Sequence, residues 1–277
     1  MTLTRKEVAA YFERSGGHPS RALGQNFLVD PNTVRKIVRL AGVEGTDHVI
    51  EIGAGLGSLT LALAETGATI SAIEIDKYLI EELQINVRPH TNVTVVHADA
   101  MAIDWPSFLI DHPSPNGRYV LVANLPYNVA TPLLCDLLDF VPEIDHMLVM
   151  VQKEVGDRLA AVPRSEAYGA VSVKVAYWAV AKTVGTVPPS VFLPQPNVDS
   201  ALVRIDRRIA PAVTIEQVSH ERLFHVIKTG FGQRRKMLRR SLSGLVTPEA
   251  FERAGVAPEA RPEELGVEQW GRLAAIT

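Results

Sequence analysis

The sequence predicts an α/β fold: a mostly parallel sheet with an antiparallel edge hairpin, followed by a small C-terminal helical domain. Three observations carry this. Short β-rich runs recur about every 25 residues, with helix-like stretches between them. Two later runs are separated only by a Pro-rich loop, 188–196, too short to hold a crossover helix. From about Ile215 onward only helical periodicity remains, broken by Gly230, Gly244 and Pro248. Strands alternating with helices require crossover connections, and crossovers give parallel pairing with both sheet faces covered.

Taken in order, the β-rich runs are His48 to Ile52, Thr69 to Ile75, Val93 to His97, Tyr119 to Ala123 and Met147 to Val151. The helix-like stretches include Ser58 to Glu65, Lys77 to Val87 and Pro132 to Phe140. Ala170 to Ala179 and Ser200 to Asp206 are expected to form the edge hairpin. Asp30 followed by Pro31 has the chemistry of an N-cap and a first helical residue. The expected domains are 1–208 and 209–277.

At 277 residues and 47% apolar composition, the chain can bury one large core or a core with a small companion. Its single cysteine, Cys135, rules out an internal disulfide. Neither it nor the eight histidines show metal-ligand spacing, so no metal site is expected. No apolar run of signal-peptide or membrane-spanning length occurs, and a cytoplasmic location is expected. The net charge of −3 is unevenly spread: residues 1–39 carry +4 and residues 200–240 carry +7, leaving −14 for the rest. Two basic segments attached to an acidic body suggest a polyanionic partner.

Four motifs carry the chemistry. The run Glu51-Ile-Gly-Ala-Gly-Leu-Gly57 follows a predicted strand and opens a helix, where α/β sheets bind nucleotides. A dinucleotide fingerprint would place its third glycine at 58, but residue 58 is Ser and the glycines are Gly53, Gly55 and Gly57. That spacing suits a nucleoside ligand without a pyrophosphate. Glu74 ends the second run, where a carboxylate accepts hydrogen bonds from both ribose hydroxyls. Asp76, two residues on, is expected to cap a helix instead. Asp99 ends the third run and is a candidate acceptor for an adenine amine, whereas His97 is read as structural.

Asn124-Leu125-Pro126-Tyr127 ends the fourth run and points to the reaction class. An adenine amine is a poor nucleophile because its lone pair is delocalised into the ring. Two acceptors, the Asn124 side-chain oxygen and the Leu125 carbonyl, would favour a tetrahedral nitrogen able to attack a sulfonium methyl group. Pro126 stiffens the turn, and Tyr127 offers a ring on which the target base stacks.

These motifs, with Leu23-Gly-Gln-Asn-Phe-Leu-Val-Asp30, Val151-Gln-Lys-Glu-Val155 and Phe192-Leu-Pro-Gln-Pro-Asn-Val-Asp-Ser-Ala201, give the chain a resemblance to the ribosomal RNA adenine dimethyltransferases. Within that family it is most similar to the small-subunit (16S rRNA) branch, over about residues 20–240. The resemblance implies a class I S-adenosylmethionine-dependent methyltransferase fold, Rossmann-like. It implies that Asn26 and Leu28 line the methionine end of the S-adenosyl-L-methionine cofactor, with Gly53, Glu74, Asp99 and Asn124 completing that site. It also implies that Phe192 faces the target adenine opposite Tyr127; without the resemblance, Phe192 would be read as core. The implied substrate is a pair of adjacent adenines near the 3′ end of 16S rRNA in the 30S subunit or its precursor.

Arg234, Arg235, Lys236, Arg239 and Arg240 place five cations within seven residues, expected on a helix with Met237 and Leu238 turned inward and phosphate bound by the charged side. Three alternatives stay open. A large-subunit (23S) rRNA adenine methyltransferase of the macrolide-resistance type shares the layout, an NAD-dependent oxidoreductase shares the glycine-rich turn, and a non-catalytic assembly factor would share the fold.

Overall fold

The computed structural model describes residues 2–126 and 129–277. The chain divides into two compact units, Met1–Gly156 with Lys182–Asp206, and Asp157–Ala181 with Arg207–Thr277. The division is not the contiguous one expected at 208/209, because residues 157–181 belong with the C-terminal part.

In chain order the elements of the sheet unit begin with α1 (Arg5–Ser15), β1 (Phe27–Leu28), α2 (Pro31–Ala41), β2 (His48–Ile52), α3 (Ser58–Ala64), β3 (Thr69–Glu74) and α4 (Lys77–Val87). They continue through β4 (Val93–His97), α5 (Trp105–Asp111), β5 (Tyr119–Asn124), α6 (Ala130–Phe140) and β6 (Ile144–Gln152). The chain then forms α7 (Lys153–Leu159), α8 (Ala170–Trp178), β7 (Ala179–Val187), β8 (Phe192–Leu193) and β9 (Ser200–Arg207).

The main sheet has the order β4-β3-β2-β5-β6-β9-β7, and β1 pairs separately with β8. Pairing is parallel from β4 to β6 and antiparallel between β6 and β9. The expected α/β architecture with an antiparallel edge is therefore present. Strand order reverses at β2, whose neighbours are β3 and β5, and the cleft beyond their carboxyl ends is where such sheets bind ligands. All five residues of β2 are buried, as are Val120, Leu121 and Val122 of β5. Strands covered on both faces favour near-continuous apolar runs, which β5 has and which His48 and Glu51 interrupt in β2. On one face Val34 and Ile37 of α2 and Leu59 and Leu63 of α3 pack with Val49, Val120 and Leu148. The start of α2 follows the sequence: the Thr33 N–H donates to the Asp30 carboxylate at 2.8 Å, and Pro31 needs no partner for an N–H it lacks.

The second unit is helical, with α8 joined by α9 (His220–Phe231), α10 (Leu238–Ser241), α11 (Pro248–Ala254) and α12 (Val267–Ala275) around Trp270, Phe251, Leu223 and Tyr168. A Cβ at Gly230 would lie 2.6 Å from the Trp270 ring, so glycine is what lets α9 reach the indole of α12. Here two expectations are corrected. Ala170 to Ala179 was expected as one strand of the edge hairpin. It is helical through Trp178, and Val173 and Tyr177, one turn apart, enter the core together. Burial of that face overrides β propensity. The basic stretch is not one helix: residues 233–236 form turns and α10 begins only at Leu238. Leu238 is fully buried as expected, but Met237 is 40% exposed. A helix through Arg235 and Arg240 would set Arg235 over Arg239 and Lys236 over Arg240, like charges at i,i+4, which disfavours helix there. Among the described residues no helix is long and apolar enough to cross a membrane.

Candidate functional site

The cleft at the strand-order reversal encloses about 210 Å³. Asn26, Leu28, Gly53, Glu74, Asp99, Asn124, Leu125 and Pro126 all line it, which brings together nearly every cofactor and turn residue expected from the sequence. Tyr127 lies outside the described residues.

The turn after β2 forms the floor. The N–H groups of Gly53 and Ala54 both donate to the Ile73 carbonyl of β3, at 2.9 and 3.1 Å. Gly53 has φ +76°, and a Cβ there would lie 3.5 Å from the Asn124 carbonyl oxygen, in the space between the ends of β2 and β5. Gly55 serves another purpose: its N–H donates to Glu74 Oε2 at 2.7 Å. Glu74 Oε1 accepts from the Asp76 N–H at 2.8 Å, so two backbone donors fix a carboxylate that is only 5% exposed. Each oxygen keeps a further lone pair for a ligand hydroxyl. Burial raises the Glu74 carboxyl above its ordinary range, while the N–H groups of Asp76 and Gly55 oppose that rise.

Asp76 caps α4 as expected, accepting from the Tyr78 N–H at 3.0 Å. Its other oxygen accepts from Gln25 Nε2 at 2.7 Å, and Gln25 Oε1 accepts from the Ser20 N–H at 2.7 Å. Gln25 thus ties the segment preceding β1 to the rim of the cleft. Sequence reasoning had given Gln25 no role; the only signal was its place between two motif residues. Asp99 is exposed, accepts from the Met101 N–H at 2.9 Å, and lines the cleft. His97 bonds the Ile75 carbonyl at 3.2 Å, consistent with a structural role.

Asn124 terminates β5, opposite Met150 of β6. Its Nδ2 donates to the Asn26 carbonyl at 3.0 Å, and Asn26 Nδ2 donates to the Gly24 carbonyl at 3.0 Å. A carbonyl partner demands the amide's N–H side, so the Asn124 oxygen is turned away from Asn26. The Leu125 N–H donates to the Met150 carbonyl at 3.0 Å, extending the strand pairing one residue into the turn. The Pro126 carbonyl accepts from Val129 and Ala130, at 3.3 and 3.2 Å, and so starts α6.

Phe192 requires a correction. It sits in β8 opposite Leu28, is 1% exposed, and belongs to the core cluster with Val34 and Leu202 rather than to the cleft lining. Glu51 is the residue that sequence reasoning passed over. It is 1% exposed, it lines the cleft, and its Oε2 has no hydrogen-bond partner. Burial pushes its carboxyl up to about 8, opposed by Thr60 and reinforced by the charge of Glu74. Its position at the head of the glycine motif was visible in the sequence, but its burial with one oxygen unpartnered was not.

The basic residues lie in the second unit, which carries fifteen Lys and Arg against ten Asp and Glu. Arg234, Arg235, Lys236, Arg239 and Arg240 are all exposed. Arg239 pairs with Glu259 at 3.2 Å, and Arg234 donates to the Glu166 carbonyl at 2.7 Å with Glu263 at 3.9 Å. Arg235, Lys236 and Arg240 make no ion pair among the described residues.

Residues 18–277 match the family model described as ribosomal RNA adenine dimethylase. A curated relative from Bifidobacterium longum subsp. infantis, named ribosomal RNA small subunit methyltransferase A, is 47% identical over 94% of this chain and 88% of its own length. One of the same name from Kineococcus radiotolerans is 46% identical over 99% and 91%. Among solved structures, the 23S rRNA methyltransferase ErmE superposes with a TM-score of 0.70 at 27% identity, covering 91% of this chain and 99% of that one. A dimethyladenosine transferase from Plasmodium falciparum reaches 0.76 at 22% identity over 89% and 95%, a likeness of fold.

Proposed function

The chain belongs to the ribosomal RNA adenine dimethylase family, and on that premise we propose that it transfers methyl groups from S-adenosyl-L-methionine to the N6 amines of two adjacent adenines near the 3′ end of 16S rRNA. The substrate is the rRNA within the 30S subunit or its precursor, and the setting is the cytoplasm, where that subunit is assembled.

The residues present fit the cofactor. A buried carboxylate with both oxygens already braced by backbone N–H groups, Glu74, has the remaining acceptors that a ribose diol needs. The glycine turn leaves the floor of the cleft free of side chains, and Asp99 supplies an acceptor at the far end for an adenine amine. Asn26 and Leu28 stand at the methionine end. When bound, the cofactor supplies an electrophilic methyl group on a sulfonium.

The observation that carries the reading is the orientation of Asn124. Because its amide nitrogen is committed to the Asn26 carbonyl, its oxygen can accept a hydrogen bond from an adenine amine entering beyond β5. That bond strengthens as positive charge grows on the nucleophilic nitrogen, so it stabilises the transition state more than the ground state. The Leu125 carbonyl is the second acceptor, with the turn pinned by Met150 beneath and by α6 beyond. Tyr127 supplies the stacking surface. Phe192 supports this wall from the core rather than closing on the base. Arg235, Lys236 and Arg240 take rRNA phosphates, with Arg234 and Arg239 exchanging protein partners for phosphate.

The choice of 16S over 23S rRNA follows the curated relatives, which match at 47 and 46% identity against 27% for ErmE. Incubating the protein with labelled cofactor and either undermethylated 30S or 50S particles, then mapping the modified nucleotides, tests it. Dimethylation of two adjacent 16S adenines is the expected result; methylation confined to 23S rRNA would replace this reading with the macrolide-resistance one.

A further inference from the structure

The cleft combines a buried carboxyl, one of whose oxygens has no hydrogen-bond partner, with an absence of cations among its described lining residues. Among its described lining residues the ionisable ones are Glu51 on β2, Glu74 at the end of β3 and Asp99 after β4. No Lys, Arg or His lines it. Two further polar groups come from α3: Ser58, 8% exposed, lines the cleft, and Thr60, fully buried, is the group that acts on the Glu51 carboxyl to lower its pKa. Beyond β5, Asn124 has its amide nitrogen committed elsewhere. Among the described residues only Thr60 opposes the cost of a negative charge on Glu51, and no cation does.

We propose that Glu51 is a proton-exchanging counter-charge for the cofactor: it gives up its proton to solvent when a sulfonium occupies the cleft, and recovers one from solvent once the occupant is the uncharged thioether product. The inference rests on the proposed methyl-transfer reading. Its physical basis is that a buried carboxyl ionises when a positive charge arrives nearby and returns to the neutral form when that charge is removed. With Glu74 already holding charge in the same cleft, a second uncompensated carboxylate is strongly disfavoured until a cation enters. The high pKa of the empty site, about 8, agrees with this. In consequence the cleft discriminates between cofactor and product by charge as well as by shape, and the discrimination changes with pH. Ligand that displaces one proton gains up to about tenfold in affinity per unit rise in pH, and the gain ends above the pKa of the empty site.

Calorimetric titration of the full chain with S-adenosylmethionine and, separately, with S-adenosylhomocysteine tests this. Measurements run from pH 6 to 8.5 in two buffers of different ionisation enthalpy, so that protons released on binding are counted. The cofactor's own α-amino group titrates in this range, so the Glu51→Gln variant supplies its baseline. The expected result is a proton release close to one greater in the wild type than in Glu51→Gln at pH 7 with S-adenosylmethionine, and little difference with S-adenosylhomocysteine. The preference for cofactor over product should rise several-fold from pH 6.5 to 8 in the wild type beyond any rise in the variant. Equal proton release by both proteins would overturn the proposal while leaving the methyl-transfer reading intact. Failure of the wild type to bind S-adenosylmethionine at any pH would overturn both. Should Glu51→Gln not fold, infrared difference spectra of the wild type decide instead. Loss of a protonated carboxyl band on adding S-adenosylmethionine but not S-adenosylhomocysteine supports the proposal, and an unchanged band refutes it.

Discussion

The cleft between β2 and β5 and the basic stretch 234–240 are both sites for a ligand, yet they are built in opposite ways. In the cleft, functional groups are few and fixed by backbone: Glu74 by two N–H groups, Asn124 by one carbonyl. In the basic stretch they are many, exposed and loosely held, with Arg235, Lys236 and Arg240 free of ion pairs among the described residues. The first arrangement recognises one shape at a fixed distance. The second recognises a polyanion and tolerates rearrangement. The contrast teaches that single substitutions should be severe in the cleft and graded in the stretch.

The largest effect is expected at Asn124. Asn124→Ala should lower the single-turnover methyl-transfer rate, measured at saturating cofactor, by roughly 10² to 10³ fold with binding of the small subunit nearly unchanged. A rate within about threefold of wild type would put the acceptor elsewhere. Next comes Glu74→Ala, which should weaken S-adenosylmethionine binding by roughly 1.5 to 3 kcal/mol, about ten- to a hundredfold in Kd. Calorimetric titration measures that loss, and RNA affinity should stay put. Thermal melts belong beside it, because the Gly55 and Asp76 N–H groups lose their acceptor as well.

Replacing all five cations with Gln should flatten the salt dependence of subunit binding, each lost phosphate contact reducing the log-log slope by about 0.7 to 0.9. Changing Arg235, Lys236 and Arg240 alone should reproduce most of that reduction, because Arg234 and Arg239 already spend part of their charge on Glu263 and Glu259. A wild-type slope in the fivefold variant would mark the stretch as ordinary surface. The smallest effect concerns the empty protein. The native state keeps a proton on Glu51 that the unfolded chain has lost between about pH 4.5 and about pH 8, so stability falls as pH rises through that window. Denaturant melts of Glu51→Gln should show a shallower decline than wild type.

The parallel sheet, the glycine turn and the cap at Asp30 were legible in the sequence because each rests on local chemistry: continuous apolar runs, a required backbone conformation, a side-chain acceptor. Glu74, Asp99 and Asn124 were expected together from the motifs' places at strand ends and Asn26 only through the family resemblance; all four line one cleft. What escaped depended on distant partners. The helix at 170–178 forms because Val173 and Tyr177 find a core built from residues far along the chain. Phe192 became core because β8 pairs with β1, where its partner Leu28 is 164 positions away. Gln25 gained its function only once the loop after β3 brought Asp76 to it.

The bond that aims the Asn124 amide is accepted by main chain, since its partner is the carbonyl of Asn26 rather than its side chain. No change of side chain at position 26 deletes that acceptor, so the orientation of the amide is protected against point mutation. It is exposed instead to changes of chain length. One residue inserted between Asn26 and Phe27 would shift the carbonyl presented to Asn124, with every motif residue still present and the amide pointing the wrong way.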